Sequence, residues 1–188
     1  DELRFDHVTR LVLRDMNLPA VDIDFLKRFP NLECLDLRGN RLPSIPSGVY
    51  SLARLRVLRL DHNQIVLTIA DNSRLGRLSR LERLELNHNP LGQMPLVRRL
   101  PNLLQLGLRS TQLATFPSDI QQLPWRGMVD LRNNQIRQVN QDLEGLRVRL
   151  EQMALHENPV DEASERLLQP QPGPSSTAAH EAQPSPSY

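Results

Sequence analysis

Between Leu81 and Leu91 the chain reads LERLELNHNPL, with leucine at the first, fourth, sixth and eleventh places and Asn89 at the ninth. Polar side chains fill most of the rest. The same frame recurs in LECLDLRGNRL (32–42), LRVLRLDHNQI (55–65) and LLQLGLRSTQL (103–113). It continues in RGMVDLRNNQI (126–136) and LEQMALHENPV (150–160), and it begins with VTRLVLRDMNL (8–18). Seven copies spaced 22 to 26 residues apart are an internal repeat, not a chance recurrence.

The core of each copy has the period of two that belongs to a strand, so its leucines face one way and the residues between them the other. One such strand cannot bury its apolar face alone. Stacked copies make a parallel sheet and join the leucines into one core. The Asn at the ninth place (Asn40, Asn63, Asn89, Asn134 and Asn158) is expected to turn inward as a structural ladder, serving backbone groups of adjacent turns. Thr111 takes that place in the fifth copy and is able to do part of the work. Met16 takes it in the first copy, which suggests an edge. The frame resembles the leucine-rich repeat, L-x-x-L-x-L-x-x-N-x-L. That resemblance implies an α/β solenoid of about seven repeats, with a parallel concave sheet and short helical or 3₁₀ convex returns.

Between the copies lie the returns. Phe25, Leu26 and Phe29 are expected to pack before Pro30. In LPSIPSGVYSL (42–52) and LATFPSDIQQL (113–123) a Pro opens a short helical or 3₁₀ turn, since its fixed φ suits the first helical position. The third return, VLTIADNSRLGRLSR (66–80), is the longest, and Asp71, Asn72 or Ser73 is expected to cap a helix there that turns Leu75 and Leu78 inward. In the sixth copy Arg126 replaces the first leucine, and Trp125 is expected to supply the missing bulk. DEASERLLQ (161–169) reads as a capping helix whose Leu167 and Leu168 cover the end of the core. The domain reading is therefore a repeat domain over 1–168 and a Pro/Ser-rich disordered linker or tail over 169–188, where five prolines stand among Ser, Gln and Ala.

Composition narrows the class. A formal charge of +1 offers no electrostatic case for nucleic acid or a membrane surface, and neither is expected as a partner. Cys34 is the only cysteine, which excludes an internal disulfide and favours a reducing compartment. The first residues, DELRFDHVTR, are charged, so no signal peptide is visible, and the lack of an initiating Met suggests a fragment of something longer. Of the 23 basic residues only Lys27 is Lys; a GC-rich genome explains this more simply than selection against acceptor amines. No P-loop, dinucleotide fingerprint, HExxH or nucleophile-elbow motif is present, and no catalytic residue, cofactor or metal is expected.

Function is expected on the concave face. Its fifth column includes Asp36, Arg59, Glu85 and Asp130; its seventh runs Arg14, Arg38, Asp61, Asn87, Arg109, Arg132 and His156. Neighbouring strands lie about 4.8 Å apart, so residues of one column interact. Asp36, Arg59 and Glu85 are thus expected to form a charge ladder, with Arg38 beside Asp61. The candidate partner-binding residues are Arg14, Arg38, Arg59, Asp61, Arg83, Glu85, Arg109, Asp130 and Arg132. Arg109 and Arg132 stand out as adjacent like charges with only Asp130 near them. His62 and His88 share the eighth place of neighbouring copies, but no carboxylate or Cys completes a metal set. Arg74, Arg77 and Arg80 are expected to share a solvated face of the convex helix.

FDHVTRLVLRDMNL, FLKRFPNLECLDLRGNRL, LERLELNHNPLGQMP and the closing ALHENPVDEASERLL together resemble the repeat domains of bacterial proteins that end in a NEL (novel E3 ligase) domain, relatives of the IpaH-type secreted effectors. The similarity covers roughly residues 3 to 168. It implies a substrate-recognition module of a Cys-dependent E3 ubiquitin ligase, secreted without a cleaved signal and acting in a host cytoplasm. Its partners would then be a host protein and an adjoining ligase domain, the chain itself remaining monomeric. The ligase family's Cys-x-Asp motif is carried only as Cys34-Leu35-Asp36 inside a repeat strand, so no catalytic residue transfers. The alternative is a free-standing scaffold or adaptor in the bacterial cytoplasm.

Overall fold

The computed structural model describes residues 3–117, 127–139 and 153–169. Among these, seven short strands form one parallel sheet in sequence order: β1 (Arg10–Val12), β2 (Cys34–Asp36), β3 (Val57–Arg59), β4 (Arg83–Glu85), β5 (Gln105–Gly107), β6 (Met128–Asp130) and β7 (Met153–Ala154). The register follows the repeat frame without a slip. Leu35, Leu58, Leu84, Leu106 and Val129 face one another in a single row. With Leu37, Leu60, Leu86, Leu108 and Leu131 they form an inward stack that is almost fully buried. At the N-terminal edge the burial fades: Leu11 and Leu13 are half-buried, and Val12 and Met16 are exposed.

The Asn ladder ties each repeat to the one before it. Asn63 Nδ2 donates to Leu37 O and Leu60 O, both at 3.0 Å, while its Oδ1 accepts from Leu42 N at 3.0 Å. Asn89 repeats this with Leu60 O, Leu86 O and Ile65 N. Asn40 makes the same link to the first repeat, Asn134 serves the fifth, and Asn158 reaches Leu131 O. Thr111 is a partial substitute: its hydroxyl donates to Leu108 O at 2.8 Å, inside its own repeat, and its N–H leans on Asn134. In the first repeat Met16 contributes only a backbone N–H, taken by Asn40 Oδ1.

The returns are short. Helix α1 (Ile23–Lys27) is capped by Asp22, whose carboxylate accepts from Asp24 N and Phe25 N. Beneath it Phe5 stacks on Phe29, and Phe25 meets Phe29 edge-on. A 3₁₀ turn spans Ser47–Ser51, with Pro46 as its cap and not as its first residue; another spans Val97–Arg99. Helix α2 (Ile69–Leu75) starts one turn earlier than expected. Its cap is Thr68, which exchanges hydrogen bonds with Asp71 in a capping box, so Asp71, Asn72 and Ser73 lie inside it. Leu75 and Leu78 are fully buried, as the pattern required. The helix ends at Gly76, so Arg77 and Arg80 stand beyond it and share no helical face with Arg74. The last helix, Glu162–Leu168, is capped by Asp161. Its buried Ser164 accepts from Val139 N at 3.0 Å, and Leu168 packs on the core while Leu167 is half-buried. Trp125, Arg126, the 118–123 return and the 170–188 tail lie outside the described residues. No described helix is long and apolar enough to cross a membrane.

Candidate protein-binding face

The side chains between the buried leucines all emerge on the concave side of the sheet. Cross-strand register puts Asp36, Arg59 and Glu85 in one row, as the column reading requires. The hydrogen-bonded ion pairs of the fifth and seventh columns and of Arg83, however, run along the strands, while Arg56 and Glu82, just ahead of their strands, pair between repeats. Arg38 grips Asp36 through Nε at 2.9 Å and Nη2 at 2.8 Å, and Arg132 grips Asp130 through the same two nitrogens at 2.9 and 2.7 Å. Arg83 Nε donates to Glu85 Oε1 at 2.8 Å. Residues two apart on a strand share a face, and an Arg side chain spans that step while also reaching its fork geometry. Arg59 acts on Asp36 only through its charge. So the expected cross-strand ladder is replaced by clamps internal to repeats two, four and six.

These clamps set the electrostatics. Burial alone raises the Asp36 carboxyl, but hydrogen bonds from the Arg38 guanidinium and N–H outweigh it and hold Asp36 below the usual range. Asp130 is lowered in the same way against Arg132. Asp61 differs. Burial pushes its carboxyl up, the nearby Glu85 charge adds to that, and the N–H of Asn87 at 2.9 Å offsets only part. Among the described residues Asp61 forms no ion pair. It starts a relay up the seventh column, where Asp61 Oδ1 accepts from Asn87 N and Asn87 Oδ1 accepts from Arg109 N at 2.8 Å.

The relay floors an open depression of about 260 Å³ spanning repeats two to six. Arg38 stands on one side, Arg109 and the Asp130–Arg132 clamp on the other. Its rim is His62 and His88, whose rings stack at 4.2 Å between centroids and 10° between planes. Burial first, then the charges of His62 and Arg109, hold the His88 imidazole below its ordinary range. Parallel imidazoles do not converge their lone pairs on one point, and among the described residues no group of three or more His, Cys, Asp or Glu is placed to hold a metal.

Arg38, Asp61, Arg109, Asp130 and Arg132 thus come together. Arg59, Arg83 and Glu85 lie on the same face, outside the depression. Arg14 stands apart at the N-terminal edge, beside Asp15 at 3.8 Å. Cys34 is a half-buried thiol. The candidate set omitted Asn87, His62 and His88, although their shared seventh and eighth places put them in the same rows. A further regularity escaped it: the eighth residue of each repeat (Asp15, Gly39, His62, His88, Ser110, Asn133 and Glu157) has φ between 53° and 69°. The chain turns off the concave face through the left-handed region each time.

Seven parallel strands in register, an Asn ladder and short convex returns leave one architecture. The fold is a leucine-rich repeat solenoid. A leucine rich repeat family model matches residues 6–65. A leucine-rich repeat protein of Leptospira interrogans superposes with a TM-score of 0.66 at 28% identity, over 81% of this chain and 38% of that one. Mouse (Mus musculus) vasorin is 31% identical over 135 residues, 70% of this chain and 20% of vasorin. A protein phosphatase PHLPP-like protein of Drosophila melanogaster is 36% identical over 85 residues, 45% of this chain. The chain spans 20% or less of the length of these two curated relatives.

Proposed function

We propose that this leucine-rich repeat domain recognises a protein through its concave face, and that it is the substrate-binding module of a secreted, NEL-type E3 ubiquitin ligase. The observation that carries the recognition reading is the depression. Charged and amide side chains from five repeats converge there on a rigid sheet, with the leucine core beneath fixing their backbones. Support for the ligase context is the resemblance in the closing ALHENPVDEASERLL segment and the opening repeats. The chemistry would belong to a neighbouring domain, the repeats choosing its target.

Two measurements test this. A photo-crosslinking residue at Gln105, exposed on the concave face, is expected to trap a partner from host-cell extract, and one at Arg77, exposed beyond α2, is not. Adducts formed equally from both positions would remove the concave face from the reading. For the ligase, the native protein containing this segment is expected to form a thiol-sensitive ubiquitin adduct when supplied with activating and conjugating enzymes. A native protein without that activity leaves a binding adaptor.

A further inference from the structure

Of the concave arginines, Arg38, Arg83 and Arg132 are each hydrogen-bonded to a carboxylate of their own repeat. Arg109 is not. Its Nε is buried and has no acceptor among the described residues, and its guanidinium enters no ion pair there. A buried N–H without a partner forfeits its hydration with nothing in return. Its neighbours cannot supply an acceptor: Asp130 is committed to Arg132, Asn87 Oδ1 to the Arg109 N–H, and Glu85 to Arg83 and Asn87. One side of the depression therefore holds a positive charge whose fork is unused. On its floor stands Asp61, a carboxylate with no ion-pair partner among the described residues, reached by Arg38 only through its charge and raised by burial and by Glu85.

The unmet needs are complementary: an acceptor for Arg109 and a hydrogen-bond donor for Asp61. A lone anion answers only the first and would be repelled by the second. An extended peptide answers both, because an acidic side chain supplies the carboxylate and its backbone supplies the N–H. Met128, 61% exposed two residues before Asp130 on the same strand face, adds an apolar shelf at the edge of this site.

We infer that the depression is a subsite for an acidic, extended segment of the partner, its carboxylate held by Arg109 and its main-chain N–H by Asp61. This deepens the concave-face reading and rests on it. Binding swings the Arg109 side chain outward, so that Nε and one Nη meet the carboxylate together.

The test uses the 188-residue chain, isotope-labelled, titrated with a blocked hexaglutamate peptide and, in parallel, with blocked hexaglutamine. The Arg109 Nε–Hε resonance is expected to shift saturably with hexaglutamate alone, and the affinity to fall as salt is raised. Arg109→Gln is expected to weaken hexaglutamate binding about tenfold, while Arg98→Gln on the convex side leaves it unchanged. Arg109→Lys keeps the charge but loses the fork, and is expected to recover only part of the affinity. Equal shifts with both peptides, no shift with either, or an Arg109→Gln protein that binds hexaglutamate normally would each overturn the subsite. None of these outcomes touches the crosslinking result, so failure of the subsite and failure of the concave-face reading are told apart.

Discussion

The Glu85 carboxylate occupies the space that a side chain at Gly107 would fill. A Cβ built on Gly107 would lie 2.0 Å from Glu85 Oε2 and 2.6 Å from Asn87 Nδ2. The two residues are adjacent in register, and the absence of a side chain in β5 is what lets Glu85 lie flat, 6% exposed, between Arg83 and Asn87. Gly107→Ala is therefore expected to cost about 1–3 kcal/mol, because it pushes a buried, hydrogen-bonded carboxylate off its partners. The same substitution in a Glu85→Ala background is expected to cost clearly less, since the obstructing group is gone. Urea unfolding of the four proteins reads the coupling, and additive costs would show that the two residues do not share this space.

The Asn ladder is expected to be strongest in the middle of the stack. Asn89→Ala takes the donor from the carbonyls of Leu60 and Leu86 and the acceptor from the N–H of Ile65, all in the interior. A loss of about 2–4 kcal/mol is expected, more than one buried hydrogen-bond partner would account for. Asn158→Ala, half-buried in the last repeat, is expected to cost less than half of that. Equal losses at the two positions would mean that the ladder's strength does not depend on burial.

Leu106, fully buried in β5, contacts the solenoid core between Leu84 and Val129. Leu106→Ala is expected to destabilise by about 2–5 kcal/mol through lost burial and a residual cavity. An unchanged unfolding midpoint would contradict the register.

Acid has two opposite effects on this face. Asp36 and Asp130 have folded-state pKa values below their unfolded ones, so their contribution is present above the unfolded value, near pH 4, and is lost as pH falls through the lowered folded values. Asp61 is raised, so the folded state takes up its proton first and acidification through that window favours folding. The combined Asp36→Asn, Asp130→Asn protein is expected to be less stable than the parent at pH 7, with the gap narrowing as pH falls below 4. Asp61→Asn keeps the acceptor for Asn87 N and removes the penalised charge, so it is expected to be at least as stable as the parent at pH 7. Urea midpoints at pH 7 and pH 3 check both; an Asp61→Asn protein weaker at pH 7 would mean that its charge stabilises the fold.

What was legible in the chain was whatever the repeat period dictates. The inward leucines, the sheet order, and the rows shared by Arg109 and Arg132 or by His62 and His88 all follow from one spacing. The partner of each charge did not follow. Arg59 beside Asp36 and Arg38 two residues along from Asp36 are both within reach on paper, and only side-chain geometry decides for the second. The cap of α2 is legible in the chain: Thr68-Ile69-Ala70-Asp71 is a capping-box signature whose last residue is Asp71, which places the cap at Thr68 and not at Asp71, Asn72 or Ser73. The left-handed eighth column also carries a signal: Asp15, Gly39, His62, His88 and Asn133, five of its seven residues, are of the types that most readily take a positive φ.

That column has a consequence for how this surface can change. A β-branched residue is disfavoured at a left-handed φ, so Val, Ile and Thr are costly at seven places along one rim of the binding face, whatever a partner rewards. Adaptation to a new target must then draw on the third, fifth and seventh columns, whose described residues all avoid the left-handed region, with Gly107 set apart because Glu85 fills its side-chain space. The rim keeps a restricted vocabulary; the floor is where a new specificity can be written.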